Sequence, residues 1–530
     1  MSVLPGRMRR TAAAALALAA LLVSCSEDAP SREPENPVAG GTLRVSVREL
    51  NSLDPAKARG QGAALVLEQV FDSLTGVDDA GNAVPAAAEK WTTSPDGLTW
   101  TFTLGRSVFH NGDPVTAYDF KFAFDRIAGK TLASEAAFQL EPVRGFKAVR
   151  IDGTTQALSG VEVVNASTLR ITLDRPFYEL PVYLSHAALG PVSQKLLNRD
   201  PAAFAKHPIG NGAFEVAAPM SVAGVRLTRF DGHAGATAYL DALDVVIHEG
   251  ADDGYRAYLR DEVEIAEVPN SAIESSRGRI GPSGFTPLWA AVYYGPNMRL
   301  DKFKNPEFRR AISLAINRAT IASSVYGGTK MPATGVIPLG IPGFPPDRCR
   351  DCRFNPGSAR DLIKAAFPSG PPEVVLDHLA ASPSREVAAA IAANLREVGL
   401  TVSLRAHESG AYLRLLESGQ QELAELGWLA EVPSSDGFLA QQLRSGSPNN
   451  QVGFSDSAFD TAIDKARATK GIAERRAQYQ SAETRALAEM ALIPVVFFRN
   501  HLAVARSVRG FDLNGAGLFD ASRVWLSTEP

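Results

Sequence analysis

The chain has 530 residues, 45% of them hydrophobic and 21% charged, which exceeds what one hydrophobic core usually supports, so two or more domains are expected. Its formal net charge is −4, and the part after residue 24 is more acidic still, because residues 1–24 hold Arg7, Arg9 and Arg10 and no acid. An acidic body lacks the basic stripe that nucleic acid requires, and no apolar run beyond the N-terminus is long enough to span a bilayer.

The three arginines precede an apolar segment, Ala12 to Val23, of the length of a signal-peptide core. It ends in Leu22-Val23-Ser24-Cys25, which resembles a bacterial lipobox and implies cleavage before Cys25 with diacylglycerol on its thiol. Residues 25–40 are then an acidic, Pro-rich tether.

Gly41 to Val47 alternates as a half-buried strand and runs into Asn51-Ser-Leu53-Asp54-Pro55. Asn51 is a candidate cleft residue, with a simple Asx turn as the other reading. A helix is expected over 64–74. Asp96-Gly97 reads as a hairpin turn, Trp100, Phe102 and Leu104 alternate toward a core, and Thr116 with Asp119 forms a capping box. His110 stands beside Asp113 and Asp119, but the Asn-Gly-Asp turn after it favours a scaffold role. Residues 161–173 read as another hairpin.

Residues 290–294 read as a strand leading through Asn297 to a helix. Asn305 caps that helix, Pro306 takes its first position, and apolar residues recur at three- and four-residue steps to Val325 before Gly327-Gly328. Cys349 and Cys352 lie in a Pro/Gly-rich loop. A redox pair would sit between strand and helix and zinc would need two further ligands, so a structural disulfide is expected. Val374–Leu376, a helix from Ser382-Pro383 to Val398, and Leu400–Leu404 form a βαβ unit. Ala491–Phe498 is a continuous apolar strand.

Several ordered blocks share one resemblance. Tyr294-x-x-Asn297 followed by Phe308-Arg309-Arg310-Ala311-Ile312-Ser-x-Ala315-Ile316-Asn317-Arg318, the Pro85–Asp119 segment with Ser94-Pro-Asp96-Gly97 and Phe109-His110-Asn111-Gly112, and Gly427-Trp428-Leu429-Ala430-Glu431 resemble the dipeptide- and oligopeptide-binding proteins of family 5, the solute-binding components of ABC transporters. The resemblance covers about residues 41 to 525. It implies an α/β, two-lobed periplasmic-binding-protein-like fold of class II, cluster C, with an extra subdomain in the first lobe. The implied division is a first-lobe core of 41–84, 207–296 and 499–530, a subdomain of 85–206 and a second lobe of 297–498.

Carried onto these positions, the family's ligand contacts imply Gly427 and Trp428 for backbone contact with a peptide. Glu431, where the family has Asp, is implied for its ammonium group. Tyr294 and Asn297 belong to the implied hinge block and are further candidates. The implied partners are a peptide or other small solute, permease subunits and a membrane reached through Cys25; the chain is expected to act as an extracytoplasmic monomer without metal or cofactor. Two alternatives stay open: a non-peptide solute such as a nickel chelate, haem or sugar, and a secreted hydrolase. The chain carries no Gly-x-Ser-x-Gly elbow, and His407-Glu408 lacks the second His of a zinc-protease helix.

Overall fold

The computed structural model describes residues 36–276 and 285–527. The signal segment, Cys25 and most of the tether lie outside these residues.

The first lobe is built on β1 (Thr42–Val47), which places Leu43 and Val45 in the core. After a helix over Gly60–Val70 comes a small hairpin, β2 (Thr75–Val77) and β3 (Ala83–Pro85). An antiparallel subdomain sheet follows: β4 (Ala88–Thr93), β5 (Thr99–Leu104), β6 (Val161–Asn165) and β7 (Thr168–Thr172), ordered β4-β5-β7-β6. Trp100, Phe102 and Leu104 point inward as the period of two requires. The helix Ala117–Ala128 buries Phe120, Phe124 and Ile127. Its Asp119 carboxylate accepts from the Thr116 N–H at 2.9 Å and Oγ1 at 2.7 Å. Asp54, fully buried, takes a two-pronged contact from Arg126 at 2.6 and 2.5 Å. The turn after β1 is thereby fastened to the subdomain helix.

The chain returns to the first lobe as β8 (Phe214–Val216), β9 (Gly224–Arg229), β10 (Ala242–Ile247) and β11 (Ile265–Glu267). β1 pairs in parallel with β10 and β11, giving the order β11-β1-β10-β9-β8. His110 clamps this return. Its Nδ1 accepts from the Gly210 N–H and its Nε2 lies 3.2 Å from the Gly212 carbonyl. Burial is the main cause that pulls this ring down to about 4, so it stays neutral and does scaffold work.

The second lobe contains β12 (Pro287–Pro296), β13 (Lys330–Pro332), β14 (Val374–Leu379), β15 (Val402–His407), β16 (Leu423–Leu429) and β17 (Ile493–Arg499), ordered β13-β17-β12-β16-β14-β15. β14 and β15 pair in parallel around the helix Ser384–Glu397, a βαβ unit. β12 corrects the expected boundary at 296/297: it pairs with β16 and β17, so the second sheet begins at Pro287.

The expected single helix to Val325 is also corrected. Helix Pro306–Ala315, with Asn305 Oδ1 accepting from the Glu307 N–H at 2.9 Å, breaks at Ile316, whose backbone is extended. The buried Arg318 guanidinium gathers the carbonyls of Ser313, Cys352 and Pro494 at 2.6–2.9 Å. Satisfying those groups outweighs one more helical turn. Cys349 and Cys352 are joined by a disulfide beside that cluster.

Two segments cross between the lobes. One is described at its two ends, just after β11 and just before β12; the other leaves β17 through Asn500 and His501 into β18 (Leu502–Val504), which pairs with β11 in the first lobe. They run side by side, the Asn500 N–H donating to the Thr286 carbonyl and the Val268 N–H to the His501 carbonyl, each at 2.8 Å. The subdomain makes a further, buried contact with the second lobe. Glu179 accepts from Ser434 Oγ at 2.9 Å and Tyr479 OH at 3.0 Å, and Tyr183 OH donates at 3.3 Å to Asp436, which Arg467 of its own lobe meets twice at 2.7 Å.

Candidate functional site

Between the lobes lie three connected compartments of about 550, 670 and 660 Å³. Glu68 and Trp289 face both the first and the middle one. Gln61 and Phe498 face both the middle one and the third. Both lobes contribute walls, as a site that buries a ligand by closure needs.

β16 forms one wall of the middle compartment through Gly427, Trp428 and Leu429. Its partners on β12 are Val292, Ala291 and Ala290. Antiparallel strands turn the main-chain groups of alternate residues toward opposite edges. The Ala430 N–H donates back to the Trp289 carbonyl on β12 at 2.8 Å, whereas the Glu425 carbonyl turns away and accepts from Tyr412 OH at 2.6 Å. Gly427 and Leu429 share the parity of Glu425, so their N–H and C=O groups face away from β12. β14 pairs with β16 only as far as Ala424, which leaves that edge open beyond it.

Trp428 is half-buried and packs edge-on against Phe138 of the subdomain, with ring centroids 6.0 Å apart. Its Nε1 is buried without a hydrogen-bond partner among the described residues, as are both amide atoms of Gln139. Glu431 follows in the loop after β16, its side chain 38% exposed, and one carboxylate oxygen lies 2.8 Å from His186 Nε2. Burial resists the charge on Glu431, but His186 outweighs it and holds the carboxyl below its usual range. Burial likewise resists charge on His186, and Glu431, with help from Glu68, raises it. The Ala188 N–H donates to His186 Nδ1 at 3.1 Å, which leaves Nε2 as the nitrogen that faces Glu431 with its proton.

The cavity wall holds two more carboxylates, Glu135, paired with Arg59 at 3.3 Å, and Glu68 on the helix Gly60–Val70. Desolvation pushes it up to about 7, with Asp520 and Asp72 adding to the rise and His186 opposing it. Periodicity shows Glu68 only as a polar position on an amphipathic helix, and His186 lies in a short turn between helices. Neither carries a sequence signal for the cleft.

The structure brings Gly427, Trp428 and Glu431 together and sets the other three candidates apart. Tyr294 is fully buried in the second-lobe core, pointing to none of the compartments. Asn297 is buried too, donating to the carbonyls of Gly419 and Gln421 at 2.9 and 2.8 Å, and so closes a loop. Asn51 accepts the N–H of Arg59, eight residues on, at 3.2 Å, a contact longer in range than an Asx turn, and lies outside the cavity walls. Leu288, Ala290 and Val292, on the same face of β12 as Tyr294, line the cavity, and Tyr294 lies further along the strand, where that face is covered.

A cleft walled by two lobes and floored by paired crossing segments defines a solute-binding protein. The chain belongs to the bacterial extracellular solute-binding proteins, family 5, whose model matches residues 82–450. It is 23% identical over 499 residues to the oligopeptide-binding protein OppA of Bacillus subtilis, covering 90% of this chain and 91% of that one. It is 26% identical over 504 residues to the periplasmic murein peptide-binding protein MppA of Escherichia coli, covering 90% and 93%. It is also 26% identical over 463 residues to the probable deoxycholate-binding periplasmic protein YgiS of the same organism, covering 84% and 86%. A solved structure of MppA described as its unliganded open form superposes with a TM-score of 0.80 at 24% identity, covering 93% of this chain and 99% of that one. Family and fold are therefore shown.

Proposed function

We propose that this chain is the extracytoplasmic receptor of an ABC importer, held to the membrane by a lipid on Cys25. It captures a di- or oligopeptide between its lobes and hands it, unaltered, to the permease. The observation that carries this reading is the open edge of β16 beyond Ala424, which faces a cavity of about 670 Å³. An extended peptide meets such an edge with main-chain hydrogen bonds that ignore side-chain identity. Trp428 supplies an aromatic wall beside it. Glu431 is the acceptor for the peptide's ammonium, with His186 giving way as that group arrives. The peptide-binding names of OppA and MppA support the same ligand class.

A second reading is favoured by the middle compartment's apolar wall, where Leu288, Trp289, Leu429 and Phe498 would suit a compact non-peptide solute. Thermal-shift measurements on residues 26–530 separate the two, because a ligand that binds only the folded state raises the melting temperature. Short peptides should stabilise the protein and be recovered intact by mass spectrometry. Stabilisation by bile acids, sugars or metal chelates without any peptide effect overturns the peptide reading, and turnover overturns the binder. Glu431→Gln should weaken peptide binding about ten-fold or more.

A further inference from the structure

A fourth space, of about 530 Å³, lies at the seam where the subdomain meets the second lobe. None of the residues that wall the middle or the third compartment faces it. Gly81, Pro342 and Pro433 stand between it and the first compartment. At Gly81, with φ +74°, a side chain would meet Pro342 at 2.8 Å, so the tip of the β2–β3 hairpin is closed against the second lobe there.

The two sides of this space bring different chemistry. The subdomain supplies aromatic faces: Trp91 on β4, Trp100 on β5, and Tyr178, which meets Trp100 edge-on with ring centroids 6.0 Å apart. Trp100 Nε1 is buried without a hydrogen-bond partner among the described residues, and the space beside the ring can supply an acceptor. The second lobe supplies cations, Lys470 and Arg476, which flank the start of the helix Ile472–Ala488. Neither forms an ion pair among the described residues; Arg476 donates to the Ala80 carbonyl at 2.9 Å. Glu179, the carboxylate in this wall, is already engaged by Ser434, Tyr479 and, at 3.6 Å, Arg475. Two positive charges beside an aromatic wall are therefore left unanswered.

We propose that this space is a second ligand site, for a small aromatic anion, separate from the cleft that Gly427–Glu431 line. The ring lies among Trp91, Trp100 and Tyr178, and the charge faces Lys470 and Arg476. The volume falls within the roughly 300–1,000 Å³ of ordinary ligand sites. Because opposite sides hold the ring and the charge, the site is complete only while the subdomain and the second lobe are together. An occupant then favours that arrangement, and by linkage it and a solute in the cleft tighten each other by the same factor. Only this coupling rests on the reading of the chain as a two-lobed trap.

The test is calorimetry on residues 26–530 with naphthoate and its neutral amide as probes. The parent should bind the acid saturably and about ten-fold tighter than the amide. The double variant Lys470→Gln, Arg476→Gln should lose that preference by weakening the acid alone. Thr92→Trp, which fills the space from its exposed rim, should abolish binding of both probes. No saturable binding, equal binding of acid and amide, or binding that both variants leave unchanged overturns the site. Labels at Tyr118 in the subdomain and Leu413 in the second lobe should move closer when naphthoate is added. Binding without that approach upholds the site and overturns the coupling. None of these outcomes depends on which solute the cleft takes.

Discussion

Nε2 of His186 and a carboxylate oxygen of Glu431 lie 2.8 Å apart, one residue from the subdomain and one from the second lobe. The acid implied for the ligand's ammonium therefore already has a partner across the cleft. The charged form of the pair has two edges in pH. His186 is raised above 6.5, so its contribution is complete below that value and is lost as pH rises through the folded value. Glu431 is lowered below 4.5, so its contribution is complete above that value and is lost as pH falls through the folded one. Distance measurements between labels at the exposed positions Tyr118 and Leu413, one on each side, should show ligand-free protein closer at pH 5.5–6 than at pH 8.5. His186→Gln should flatten that dependence. A parent protein whose distances ignore pH would falsify the role of the His186–Glu431 pair in drawing the two sides together.

The buried contact between Asp436 and Arg467 predicts a second outcome. Asp436 is fully buried and also accepts from Tyr479 OH at 3.1 Å. Asp436→Ala leaves the Arg467 charge without its partner, which costs about 3–5 kcal/mol when such a pair is broken. Urea unfolding should register that loss. A change below about 1 kcal/mol would show that water or Glu141 replaces the carboxylate.

His110 sets part of the acid sensitivity. Its folded value of about 4 lies below its ordinary 6.5, so the unfolded chain takes up the proton first. The penalty is absent above pH 6.5, grows as pH falls, and is complete below 4, reaching about 3 kcal/mol. Stability of the parent and of His110→Gln, compared at pH 7 and pH 4.5, should converge toward the acid side. Parallel curves for the two proteins contradict the assignment.

The Cys349–Cys352 disulfide closes a loop with a sequence separation of 3. Chain entropy for so short a loop is worth about 2 kcal/mol. Reduction, or the double Ser variant, should lower the melting temperature slightly and leave ligand affinity unchanged, because neither cysteine lines the cleft. A large loss of affinity would mean that the Arg318 cluster beside it also positions the binding wall.

Much of the fold was legible because its signals are local. The capping box at Thr116 and Asp119, the Asn305 cap and the βαβ unit over 374–407 each involve neighbours within a turn or a strand period. The helix break at Ile316 was not legible, since its cause is Arg318 reaching carbonyls as distant as Pro494. Within the site, the Gly427–Glu431 block could be read as a motif. Tyr294 and Asn297, read from another block, sit buried beyond the cavity walls, because motif membership does not say how far along a strand the cleft reaches.

Sequence by itself determined many of the strands, caps and turns, since periodicity and turn residues act over a few positions. Its ordered blocks resembled the family to which the chain belongs and pointed to Gly427–Glu431, which line the middle compartment. Only the tertiary structure decided which charges share the cleft: His186 against Glu431, Glu68 raised to about 7, Lys330 above the Phe498 ring. Electrostatic partners and desolvation depend on distance through space, and each of these pairs is separated by more than a hundred positions along the chain.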